Sequence, residues 1–308
     1  MNNLYWNVYR SLEREFLDIA DTIHIDDKQL STYSTRIANL LVRTVIEIES
    51  ISKELYVREG GAQPAQGNYL YFDTDCLALL ESKWALSKKV LMISNPILYT
   101  IDPSNQRFTP LNKASKRGTS GSDWKKAYQA VKHDRSGSLS QGNIKHFIRA
   151  LGALFLLNLY YQDQGFDLGG DVTAKSFDVS LGSSLFSIEL HPFPGDLNGN
   201  YTKKDNYEQC TYIVCSTQKS KELFQEALDE VNKIASDRAS SSLQKDIESL
   251  PPSLTIDERS KKEKELEDVY RREYNDQYFM PALLEGEGPL SKAVRNIEYE
   301  VLLNKNQY

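Results

Sequence analysis

The residues best suited to chemistry sit in one short tract, Trp124-Lys125-Lys126-Ala127-Tyr128-Gln129-Ala130-Val131-Lys132-His133-Asp134-Arg135. Trp124, Tyr128 and Val131 recur at helical spacing and predict a packed face, which sets Lys125, Gln129 and Lys132 on the opposite side. His133 then falls where a helix must yield to the turn Ser136-Gly137-Ser138. An imidazole titrates near neutrality, so at an accessible helix end it suits general acid–base work. Neighbouring cations favour its neutral form and stabilise a phosphoryl transition state. The structural alternative is a histidine that interacts only with the carbonyls ending its helix.

The tract lies in a wider basic island. Between Arg107 and Arg149 the cations are Arg107, Lys113, Lys116, Arg117, Lys125, Lys126, Lys132, Arg135, Lys145 and Arg149, and the only acids are Asp123 and Asp134. The chain as a whole carries a formal charge of -6, so it is no generic polyanion binder, and the island is a local footprint for phosphate. The competing reading is that these cations scatter over the surface or pair with the acidic remainder.

Other chemistries find little support. No GxxxxGK[ST], HExxH, GxSxG or kinase triplet occurs. Cys76, Cys210 and Cys215 make neither a CxxC pair nor a disulfide framework, and with His24, His133, His146 and His191 as the only histidines no metal or cofactor is expected. Asp167, Asp171 and Asp178 lie near glycines without EF-hand spacing and read as turn residues. The amino terminus lacks the basic start and short apolar core of a secretory signal, and the apolar run 150–161 is too short to span a bilayer. A cytoplasmic protein without membrane contact is the expectation.

These residues need a scaffold. Apolar residues at three- and four-residue spacing predict helices over 4–23, from Ile37 to Leu55, over 74–92, from Ser122 or Asp123 to His133, and over 141–161. Proline-punctuated residues 95–121 read as irregular. Strands are predicted at 177–179, 185–190 and 212–215, then a helix over 220–235, a linker over 240–252, and a charged, solvated helix over 256–274. The class is therefore α+β and mainly helical, divided into a helical bundle (1–162), a mixed strand and helix region (163–238), and a linker with a charged helical segment (239–308).

The layout, with the helix Arg43-Thr44-Val45-Ile46-Glu47-Ile48-Glu49-Ser50-Ile51-Ser52-Lys53-Glu54 and with Lys132-His133-Asp134-Arg135 before a long apolar helix, resembles the HEPN superfamily over residues 1–162. Many HEPN members are metal-independent ribonucleases of prokaryotic toxin–antitoxin, abortive-infection and CRISPR systems and act as dimers; others serve as binding or assembly modules. Their motif is an arginine and a histidine with four to six residues between them, the first usually polar. Here the positions counted back from His133 hold Tyr128, Ala127 and Lys126, and Arg135 follows the histidine instead. The resemblance implies an RNA-binding antiviral protein, either a ribonuclease or a module that docks a partner protein. In it His133 is the acid or base, and Lys126, Lys132 and Arg135 contact phosphate. Glu47 or Glu49 orients the site from the facing helix. Lys113, Lys116, Arg117, Lys125, Lys145 and Arg149 complete the nucleic-acid surface.

Overall fold

A computed structural model describes residues 4–65, 68–194, 201–286 and 288–308. The chain is α+β and mainly helical. Helix α1 (Leu4–Ala20) buries Tyr5, Tyr9, Leu12, Phe16 and Ile19 on one face. Helix α2 (Thr35–Arg58) buries Ile37, Leu41, Thr44, Ile48, Ile51 and Leu55, the predicted stripe. The Ser34 hydroxyl caps it by accepting from the Ile37 amide at 3.2 Å. A π-helical turn (Phe72–Leu77) leads into α3 (Ala78–Trp84), which stops at Ala85 in the left-handed region, φ 50°. The helix expected to reach residue 92 therefore ends eight residues early, and the chain turns into a strand.

Residues 95–121 hold more structure than their prolines suggest. Here α4 (Pro103–Gln106) is capped by Asp102 and lies among short strands. Helix α5 (Asp123–His133) and the one-turn α6 (Arg135–Ser138) lead to α7 (Ile144–Gln162), which is buried on nearly every side. Two glycines allow close packing around α7. A Cβ on Gly142 would lie 2.5 Å from the Cβ of Ala38, and one on Gly152 would press on Leu91 and Phe108 at 3.2 Å. The Arg58 guanidinium donates to the Tyr160 and Tyr161 carbonyls and so satisfies the end of α7.

The strands form three small sheets. β1 (Ile25–Asp26) lies parallel to β3 (Leu98–Tyr99). β2 (Leu91–Ile93) sits between β4 (Arg107–Phe108) and β6 (Phe186–Ile188), antiparallel to both. In the last sheet β9 (Tyr299–Leu303) inserts between β5 (Phe166–Gly169) and β8 (Tyr212–Ser216), and β7 (Leu190–His191) completes the edge. Residues 177–179 form turns rather than the predicted strand, because Asp178 accepts from the Ser180 amide and hydroxyl.

One core joins these parts and runs from Tyr5 to Leu303, drawing on the first 162 residues, on β6 and β8, and on β9. Its polar pin is buried Glu13, whose Oε1 accepts from the Tyr9 and Ser183 hydroxyls, both at 2.7 Å, and from the Ser184 and Leu185 amides. Between β8 and β9 the chain makes a helical arm. Helix α8 (Gln218–Glu248) is 31 residues long and consumes much of the segment expected to be a linker. Its Ala235 and Ala239 are buried, so a Ser-rich stretch that looks flexible continues the helix. Helix α9 (Ile256–Tyr274) spans the predicted residues and buries none of them. Next, α10 (Met280–Leu283) and α11 (Pro289–Arg295) follow. Tyr274, Tyr278 and Phe279 pack with Val231 and Ala235 midway along α8. Among the described residues no helix is long and apolar enough to cross a membrane.

Candidate functional site

The basic island wraps around α5. The Trp124 indole nitrogen donates to the Pro110 carbonyl at 2.8 Å and fastens the preceding loop to the helix. Lys125, expected on the open side, is instead buried. Its ammonium donates to Asp73 Oδ2 at 2.9 Å and to the Ala114 and Lys116 carbonyls at 2.7 and 2.6 Å. A long stem next to the apolar stripe lets it reach inward, and a carboxylate with two carbonyls satisfies its charge. Burial draws the Lys125 ammonium below its ordinary range against the opposing pull of Asp73. Burial also pushes the Asp73 carboxyl up, but the bonds from Lys125, the Thr74 amide and Arg117 outweigh it and hold the group low. Lys125 is thus a structural lysine that cannot meet a phosphate.

Arg117 divides its guanidinium between Asp73 Oδ1, at 2.9 Å, and the face of Tyr71, 3.6 Å from the ring centre. Beside this pair opens a cavity of about 680 Å³ between α2, residues 70–73, loop 116–121 and α5. Leu70, Tyr71 and Phe72 supply its apolar wall, and Glu49, Lys53, Lys116, Lys126 and Gln129 its polar rim. Glu49 is therefore the α2 carboxylate that faces α5. It is also near the Tyr128 phenol, which burial, and then Glu49, push up. Glu47 stands about 200° further around the helix, beside Arg43, which pairs with Glu15 of α1. Burial raises the Glu47 carboxyl and Arg43 opposes it. Of the alternatives Glu47 and Glu49, only Glu49 belongs to this site.

A second, more polar cavity of about 400 Å³ opens on the other side of Lys126. The two share Gly121 and Lys126, and the second adds Arg107, Lys113, Ser122, Asp123 and Arg149. Arg107 is engaged by Glu189 at 2.5 Å and Gln209 at 2.6 Å, and Arg149 is paired with Asp123. Lys113, Lys116 and Lys126 are exposed, and among the described residues none of them forms an ion pair.

His133 ends α5, exposed, with Nε2 3.1 Å from the Gln129 side-chain oxygen. Gln129 lines the larger cavity, and the imidazole bonded to it is not itself part of the lining. Asp134 is turned away to cap α6 by accepting from the Gly137 amide at 3.0 Å. Arg135 is exposed on α6, and Lys132 lies over the Tyr128 ring. Seven helical positions separate Lys126 from His133, about 10.5 Å of axial rise, so the two do not converge on one point. Lys145, half-buried at the start of α7, lines neither cavity. The partners missing from the sequence reading are Tyr71, Asp73, Lys53 and Ser122. The first three lie far from the island in the chain, and Ser122 reads only as a helix cap. Comparison with protein-family models, curated proteins and solved structures returned no match to this chain.

Proposed function

We propose that the chain is a nucleic-acid-binding protein that takes single-stranded RNA across the two cavities flanking α5. The observation that carries this reading is the set Lys113, Lys116 and Lys126, exposed and without ion pairs among the described residues, on one surface that shares Lys126 between both hollows. Uncompensated like charges repel in the free protein, and a polyanion relieves that repulsion while releasing its counterions. The Tyr71 ring and Arg117 plane beside the larger cavity suit an unstacked base, which favours a single strand over a duplex. The HEPN resemblance of residues 1–162 supports RNA and a cytoplasmic setting in a prokaryotic defence system. In that setting the charged arm α8–α9 is free for a partner protein or second copy. The test is fluorescence anisotropy with a labelled 5′-hydroxyl RNA at low salt. Lys116→Glu with Lys126→Glu weakens binding by tenfold or more, and unchanged affinity refutes the reading.

A second reading, metal-independent cleavage, draws on exposed His133, which bonds to Gln129 of the larger cavity. It requires His133→Ala to abolish RNA cleavage in EDTA while leaving binding intact. Among the described residues no carboxylate bonds to His133 to orient it, so binding is the function the geometry favours.

A further inference from the structure

The smaller cavity opens at the start of α5, the positive end of a helix of eleven residues, where the Trp124 amide is taken by Asp123 Oδ1 and the Lys126 amide by the Ser122 carbonyl. Ser122 holds the N-cap position but makes no capping bond. Its side chain is only 6 % exposed, and its hydroxyl lies buried against the cavity with no hydrogen-bond partner. A serine at this position normally accepts from an amide of the first turn, so an idle hydroxyl is an unmet demand. That hydroxyl can donate.

The charge around it is suited to one kind of guest. Asp123 is already satisfied, with Oδ1 accepting from the Trp124 amide at 2.8 Å and Oδ2 paired with Arg149. Arg107 is held by Glu189. Lys113 and Lys126 remain, and Lys113 keeps a left-handed backbone, φ 58°, on the cavity wall. Two free ammonium groups, a helix N-terminus and a buried hydroxyl donor together match a group with about two negative charges and several acceptor oxygens.

We infer that this cavity binds a phosphate monoester, with the Ser122 hydroxyl and the positive end of α5 on its oxygens and Lys113 and Lys126 balancing its charge. The inference rests on the RNA reading only for the source of the phosphate, either the 5′ end of an RNA strand or a free phosphorylated molecule.

Thermal unfolding is measured in inorganic phosphate and in sodium chloride of matched ionic strength, for the parent, Ser122→Ala and Lys126→Gln. Phosphate raises the parent Tm saturably by about 2–4 °C beyond chloride, and the gain disappears in both variants. Both substitutions leave the Tm in chloride near the parent value, since one removes an unpartnered hydroxyl and the other an exposed side chain. Equal shifts in phosphate and chloride, or a phosphate shift kept by both variants, overturn the site. Matched 5′-phosphate and 5′-hydroxyl RNAs then identify the source. Tenfold tighter binding of the phosphorylated strand, lost in Ser122→Ala, assigns the site to RNA ends. Equal binding with a retained phosphate shift assigns it to a free phosphate compound. If the phosphate shift holds while neither RNA binds, the site stands and the RNA reading falls.

Discussion

Lys89 is the least compensated charge in the core and permits a quantitative test of the packing. It is fully buried where the helical part meets β8, and its ammonium donates to the Cys210 carbonyl at 3.1 Å. No carboxylate pairs with it among the described residues. The neighbouring Glu208 is taken by Lys88, and Glu81 accepts from the amide and hydroxyl of Ser87. Burial, opposed by Cys210, Glu208 and Glu81, brings its pKa down to about 7 from the ordinary 10.5. Between these values the unfolded chain holds the proton and the folded chain sheds it. The unfolded state binds more protons, so stability rises with pH. From pH 7, where the folded amine is half-protonated, to pH 8.5 the gain is about 1.5 kcal/mol. Above that range the buried Cys76 and Cys210 thiols, pushed up to about 11 and about 12, reverse the trend as the unfolded thiols ionise. Urea unfolding at pH 7.0, 7.75 and 8.5 for the parent and Lys89→Met measures this directly. The parent gains stability along the series and the variant loses that dependence. A flat parent profile, or the same slope in Lys89→Met, refutes the account of an uncompensated buried amine.

Substitutions at three further positions probe the scaffold by chemical denaturation. Lys125→Met leaves Asp73 with Arg117 as its one charged partner and costs about 3–5 kcal/mol, whereas an exposed phosphate-binding lysine would cost almost nothing. Glu13→Ala removes the shared acceptor of the Tyr9 and Ser183 hydroxyls and leaves the Ser184 amide without one, at a cost of about 2–4 kcal/mol; Glu13→Gln, which keeps an acceptor oxygen, costs less. Gly142→Ala drives a methyl into Ala38 and costs about 1–3 kcal/mol, against near-neutrality if α2 and α7 could separate freely.

The parts of the fold written in short-range periodicity were legible. The stripe of α2, the exposed α9 and the apolar α7 each follow from spacing over a few turns. What escaped depended on distant partners. Strands β2 and β4 are two or three residues long and exist because β2 finds both β4 and β6. The polar distal half of α8 reads as a linker because its helical support, Ala235 and Ala239, is too small to make an apolar stripe. At the site, the island, Lys126 and the placement of His133 at a helix end were readable. The burial of Lys125 was not, since it turns on Asp73, 52 positions away. Glu47 and Glu49 differ by two positions on one helix, and only the packing of Arg43 on α1 assigns them to opposite sides.

The most direct measurement for the RNA reading is the salt dependence of its affinity for a 5′-hydroxyl RNA, between 50 and 200 mM monovalent salt. With Lys113, Lys116, Lys126 and Arg135 on phosphates, the log–log slope is about -2.8, and Lys126→Ala makes it shallower by about 0.7. A slope near zero, or one that Lys126→Ala leaves unchanged, contradicts the placement of RNA on this surface.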